Sequence, residues 1–168
     1  TITVNRRHET HFNKKRIRRL MQILHLKSVC RKKKYNYIKS TPEVTAENIL
    51  NREFYADAPN EKWLTDVTEF KYYVGAEVKK IYLSAILDIF DRRIVSYRIG
   101  TSNNNQLVFE TFNEAVDNNP TAHPLFHSDR GFQYTHRGFH QKLEEAGMKQ
   151  SMSRIGKCID NGPMEGFW

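Results

Sequence analysis

Three β-type runs follow one another between residues 63 and 100, and no helical period separates them. WLTDVTEFKYYV (63–74) and RRIVSYRIG (92–100) are rich in β-branched and aromatic residues. KIYLSAILDIF (80–90) is apolar on both faces, as a central strand requires. The short link Asp91-Arg92-Arg93 favours an antiparallel meander. After residue 100 the pattern changes. NNNQLVFETFNEAVDNN (103–119) puts Leu107, Val108, Phe112 and Ala115 on one helical face, and PLFHSD (124–129) is a short buried-type strand. THRGFHQKLEEAGM (135–148) is a helix with Phe139, Leu143 and Ala146 inward and Gly147 as its stop, and KQSMS (149–153) is a strand. Pro163 suits the first turn of a last helix. The order βββαβαβ(α) predicts an α/β layer with a mixed sheet. At 168 residues and 39% hydrophobic, the chain can bury one core and carry a small appendage.

Charge separates the appendage from the body. Residues 1–39 hold 13 Lys and Arg with one acid, Glu9, while residues 40–168 hold 14 Lys and Arg with 18 acids. A basic arm on a slightly acidic body points to a polyanionic partner. Residues 1–12 show no clear period. In NKKRIRRLMQILHL, Asn13 can cap a helix whose stripe is Ile17, Leu20, Met21 and Leu24. Lys15, Arg16, Arg18 and Arg19 fall off that stripe, so one face can dock on the protein and the other can meet DNA phosphate. Arg31, Lys32, Lys33 and Lys34 extend the positive charge into a linker (31–62) that holds Pro42, a short helix around Ala46–Phe54 and the turn signal APNEK. A solvated tail or a surface helix is the plainer alternative. No run of about 18 apolar residues is present, so no membrane span is expected, and the polar, basic start is unlike a secretory signal. Cys30 and Cys158, in no metal-like spacing, fit a reducing compartment.

Three acids sit where a bland role is not the whole account. Asp66 lies inside a strand that otherwise reads as core, where Asp is disfavoured and a buried carboxylate needs a partner or a metal. Asp129 ends a strand of an α/β sheet, the end at which ligands gather. Glu165 falls near the start of the last helix. Singly, each has a simpler explanation: a salt bridge, an Asx turn before Arg130-Gly131, and a favourable helix N-terminal charge. Together they form an oxygen-only set suited to hard cations and metal-assisted phosphoryl chemistry. His123, His127, His136 and His140 offer a rival zinc site, with His136 and His140 one helical turn apart but without the Glu of a zinc-protease motif.

WLTDVTEF, HSDRGFQYTHRGF and SMSRIGKCIDNGPMEGFW resemble the three signature blocks of the catalytic core of DDE transposases. They look in particular like the downstream-frame protein of bacterial insertion sequences of the IS-three group (the IS150-like branch), with retroviral integrases more distant. NREFYADAPNEKW continues the likeness upstream, and NKKRIRRLMQILHL resembles the end of a helix-turn-helix. The resemblance implies an RNase H-like core with a five-stranded mixed sheet (63–168), preceded by a partial helix-turn-helix DNA-binding arm (1–30). It maps the family's carboxylate triad onto Asp66, Asp129 and Glu165, with 35 residues between the last two. It implies two Mg²⁺ (or Mn²⁺) ions on these residues, in-line attack by water or a DNA 3′-hydroxyl on a phosphodiester, and joining of element ends to target DNA. Homo-oligomers on DNA, in the bacterial cytoplasm near the nucleoid, follow from the same likeness. Arg130 and Lys157 are candidates for DNA phosphate contact, His127 and Asn161 for hydrogen bonds behind the ligands, and Gly131 for the turn.

Relative to the family, both ends look cut. Six residues from Pro163 onward are too few for an isolated helix, which needs about 12–15. Glu165 is therefore expected to be poorly fixed and the chain weakly active or inactive. The alternative to a working transposase is a remnant that only binds DNA or full-length transposase; a ribonuclease H fits the arm and the spacing less well.

Overall fold

A computed structural model describes residues 1–26 and 42–168, in two compact units, Thr1–Lys39 and Ser40–Trp168. Cys30, Lys32 and Lys33 lie outside the described residues.

The first unit holds two helices, α1 (Ile2–His8) and α2 (Lys14–Ile23). The Asn13 side chain caps α2 by accepting from the Lys15 backbone N–H at 2.9 Å. Helix α1 was not legible, because Ile2 and Val4 are its only apolar residues and give no stripe. It stops where Glu9 turns left-handed, and the Asn5 side chain then bridges to Thr10 and to both backbone groups of Phe12. No side chain of either helix is fully buried; Ile17 and Met21 are half-buried while Leu20 and Leu24 are 44% and 63% exposed, so the expected docking stripe is only partly covered. Lys15, Arg16, Arg18 and Arg19 are exposed, and the Arg16 guanidinium stacks 4.9 Å above the Phe12 ring.

The second unit is built on a five-stranded sheet: β1 (Lys62–Val74), β2 (Glu77–Asp88), β3 (Ile94–Gly100), β4 (Leu125–Ser128) and β5 (Lys149–Met152). Their order across the sheet is β3-β2-β1-β4-β5. The first three run antiparallel, as the meander reading requires; β4 joins β1 and β5 joins β4 in parallel. Parallel neighbours need crossovers, supplied by α3 (Asn105–Asn118) and α4 (Arg137–Glu145). Asn104 caps α3 through the Leu107 N–H, and His136 caps α4 through the Gly138 N–H. Gly75, at φ +62°, makes the β1–β2 turn. Arg92, at φ +63°, makes the β2–β3 turn, above the buried Asp88 that accepts from the N–H groups of Asn60 and Phe90.

Alternation along β1 divides the core. Trp63 faces α3 and α4 in a cluster with Met152 and with Phe112, Phe126, Tyr134 and Phe139, and the rings of these last four meet edge-on or tilted at 5.4–5.8 Å. Leu64 faces the opposite side, with Ala85, Leu87, Ile89 and Met164. Met164 belongs to α5 (Gly162–Phe167), which follows a single 3-10 turn (Cys158–Asn161).

The helix expected around Ala46–Phe54 does not form; the stretch is irregular up to a turn at Leu50–Arg52. Its backbone instead follows the outer edge of β5: Met152 N–H donates to the Glu47 carbonyl, and the Ile49 and Leu50 N–H groups donate to the Ser151 hydroxyl. Sheet hydrogen bonds outcompete a weak local helix, and an exposed edge is covered. Leu50 and Ala56, in the expected linker, are buried against the core.

Candidate active site

Asp66 lies on β1, on the face that looks toward α5, opposite Ala85 in the β2 register. One oxygen accepts from the Val67 N–H at 2.8 Å and the other from the Trp168 indole N–H at 3.1 Å. Asp129 follows the last residue of β4. Its Oδ1 accepts from the Gly131 N–H at 2.8 Å, an Asx turn. A Cβ on Gly131 would sit 2.9 Å from that same oxygen, so glycine is what lets the carboxylate occupy its place. Glu165 is exposed in the first turn of α5.

The three carboxylates sense one another. Burial pushes the Asp66 carboxyl up to about 6; the Trp168 and Val67 hydrogen bonds oppose this, and the charges of Asp129 and Glu165 add to it. Asp129 is likewise raised by burial, lowered in part by the Gly131 N–H and raised by Glu165. The three acids, from β1, the end of β4 and α5, thus lie near enough for their charges to act on one another. The donor set, all oxygen, fits Mg²⁺. Among the described residues, however, no three His, Cys, Asp or Glu side chains stand close enough to hold an ion together as they are. The residues fit the cation in kind, as oxygen donors.

The four histidines disperse, which removes the zinc alternative among the described residues. His123 meets the Ala146 carbonyl, His136 caps α4, and His140 meets Gln150 and Glu144. His127 is fully buried between the hydroxyls of Ser151 (2.9 Å) and Ser153 (3.2 Å). Ser151 Oγ already accepts from two backbone N–H groups, so its own O–H is the donor to His127 Nδ1 and the ring proton sits on Nε2. Burial holds this imidazole down at about 4, against the pull of the Asp160 charge and carbonyl. His127 hydrogen-bonds to no triad carboxylate; it ties β4 to β5.

Asn161 donates to the carbonyl of Thr65, the residue before Asp66, at 3.1 Å. Arg130 donates to the Ser153 carbonyl at 2.9 Å, and Lys157 is exposed in the loop after β5. The backbone bearing Glu165 is anchored, contrary to the expectation of a loose end: Met164 is fully buried and Asn161 bonds to β1. Two residues here carried no sequence signal. Asp160 reads as an ordinary turn residue, yet it is fully buried with arginine partners 6 and 108 positions away. Trp168 reads as packing, yet its indole bonds to Asp66.

Residues 56–158 match the integrase core domain family. The chain is 40% identical over 167 residues to an uncharacterized transposase-like protein of Haemophilus influenzae, covering 99% of this chain and 76% of that one. It is 41% identical over 157 residues to the putative transposase InsK for insertion sequence element IS150 of Escherichia coli, covering 93% of this chain but 54% of that one. Among solved structures, the HTLV-2 integrase catalytic core domain in complex with magnesium superposes with a TM-score of 0.50 at 22% identity, over 65% of each chain.

Proposed function

The chain belongs to the integrase core domain family, among the transposases of bacterial insertion sequences, and from that membership we propose that it cleaves and joins DNA strands at a divalent-metal site. What supports the reading is that Asp66, Asp129 and Glu165 come from three separate elements, with Glu165 and Asp129 raising the Asp66 carboxyl and Glu165 raising that of Asp129 by charge. Asp66, Asp129 and Glu165 would hold two Mg²⁺ (or Mn²⁺) ions. When bound, such ions stabilise negative charge on a phosphodiester and lower the pKa of the attacking hydroxyl.

The protein's own groups divide the remaining work. Asp66 and Asp129 bind as carboxylates, so their protons leave before the ions enter. Trp168 keeps Asp66 oriented in the meantime. Arg130 and Lys157 would contact DNA phosphate beside the carboxylates, and Lys15, Arg16, Arg18 and Arg19 on α2, with Lys32 and Lys33, would add contacts that position without reading sequence. His127 and Asn161 would hold the strands and helix behind the ligands. The substrates on this reading are the element's ends and target DNA, bound by more than one copy of the chain in the bacterial cytoplasm, at the nucleoid.

Incubation of the protein with labelled duplexes carrying the element's ends and Mg²⁺ tests this directly. Cleaved and joined products are expected, and Asp66→Asn, Asp129→Asn or Glu165→Gln each should leave below about one hundredth of the parent's rate. DNA binding without Mg²⁺-dependent products would instead identify a remnant that occupies DNA or full-length transposase; activity surviving Asp66→Asn would sink the triad.

A further inference from the structure

Asp160 is fully buried and holds five hydrogen bonds on its two oxygens. Arg154 forks onto it, with Nε at 2.8 Å from Oδ2 and Nη2 at 2.8 Å from Oδ1, and the Arg154 backbone N–H adds a third bond at 3.0 Å. Arg52 Nε donates to Oδ1 at 2.7 Å and Asn48 Nδ2 to Oδ2 at 3.0 Å. The carboxylate therefore joins three stretches: the covering segment at 48–52, the loop that leaves β5, and the turn that leads into α5. The next residue, Asn161, is 3% exposed and donates to the Thr65 carbonyl on β1. Its Oδ1 is buried with no partner, so the amide is held by this single bond to the strand beside Asp66.

Helix α5 has six residues and cannot fix its own orientation, since a helix this short has no stability apart from its contacts. Its first turn is set by whatever immobilises residues 160 and 161. The Asp160 carboxylate is buried while the Arg52 and Arg154 side chains are 41% and 48% exposed, so the pairs add little net stability, yet removing a partner from a buried carboxylate is costly. Arg154 and Arg52, distant from each other in the chain, reach a common carboxylate, and that fixes one position for the turn.

We infer that Asp160 and Asn161 are positioning residues: they set where Glu165 stands relative to Asp66 before any ion is bound. The inference rests on the reading of Asp66, Asp129 and Glu165 as the metal-holding site. Neither residue touches the reacting atoms. Asp160 fastens the turn to the body, and Asn161 fixes its register on β1.

The two tryptophans provide a test in the intact 168-residue protein, because each indole N–H marks a different place. Trp168 bonds to Asp66 and reports the register of α5 on β1; Trp63 bonds to Asn60 and reports the core. In Asp160→Asn and Asn161→Ala, the Trp168 indole proton, followed by NMR without metal, should exchange with solvent at least about tenfold faster while Trp63 is unchanged. The Mg²⁺ concentration for half-saturation should rise about 10- to 100-fold, the usual effect of removing a group behind a ligand. Should Asp160→Asn unfold the chain, Asn161→Ala decides, since it removes one bond and no charge. Trp168 exchange within twofold of the parent in Asn161→Ala, or both indoles changing together there, overturns the inference. A parent protein with no response to Mg²⁺ would sink the metal-site reading, and the indole comparison would still score the positioning.

Discussion

Asp66 is a carboxylate inside a strand, tolerated because it lies where β1 passes from core to surface. Its neighbours Leu64 and Thr65 are buried, whereas Glu69 and beyond are exposed. Burial and two like charges lift its pKa from 3.8 to about 6. A raised carboxyl binds its proton more tightly folded than unfolded, so ionising it costs stability as pH rises from about 4 through about 6. Removing the charge should therefore help the metal-free fold only above that window. Asp66→Asn is expected to raise the melting temperature relative to the parent at pH 8 and to leave the difference near zero at pH 4. Mg²⁺ should stabilise the parent at pH 8, less so below pH 6 as protons compete, and Asp66→Asn at neither. Thermal melts at both pH values, with and without Mg²⁺, check this.

At the scale of elements, α5 is the one whose existence depends most on its neighbours. Gly162-Pro163 starts it, and Met164 is its only buried side chain. Met164 packs with Leu64, Ala85, Leu87 and Ile89 on the sheet face that also carries Asp66. Truncating that anchor should cost about 2–5 kcal/mol locally. Met164→Ala is expected to speed hydrogen exchange across 162–168 strongly while the amides of β1, β2 and β4 keep their protection, and to weaken Mg²⁺ binding in the same samples. Loss of protection across the whole sheet would instead make α5 part of the main cooperative core. The 44–50 segment is a second dependent element, since apart from one internal bond, Ile49 N–H to the Glu47 carbonyl, its backbone hydrogen bonds go to β5 and to Thr135.

For the whole molecule, net positive charge is concentrated in one stretch of the sequence. The first 39 residues carry nearly half of the Lys and Arg, in a chain of net charge +8. Binding to duplex DNA should consequently weaken with salt, the logarithmic slope growing by about 0.9 for each phosphate neutralised. Replacing Lys15, Arg16, Arg18 and Arg19 together by Ala should reduce that slope by up to about 3–4 and leave the Mg²⁺ response of the core unchanged. Titrations at several salt concentrations measure it, and an unaltered slope would exclude α2 from DNA. No helix of the described residues is long and apolar enough to cross a membrane.

Much of this was written locally. The β-branched and aromatic runs at 63–74 and 92–100, the apolar run at 80–90, the 3.6-residue stripe of Leu107, Val108, Phe112 and Ala115, and Asn13 as a cap depend on neighbours within one turn or one strand, so the sequence determined them directly. The three acids were legible because an Asp in a core strand and a strand-end Asp are locally out of place, and the family resemblance tied them to Glu165. What required tertiary structure is every feature whose partner is distant in the chain. The unformed helix at 46–54 lost to the β5 edge about a hundred residues away. Asp160 looks like any turn residue until Arg52 arrives from 108 positions upstream. Fixing of the last helix was likewise invisible, because Met164, Asn161 and Trp168 find Leu64, Thr65 and Asp66 only when the sheet is built. Local periodicity encodes which element forms; the free energy that aims a short helix comes from burial and hydrogen bonds across the fold, and those belong to no single stretch of sequence.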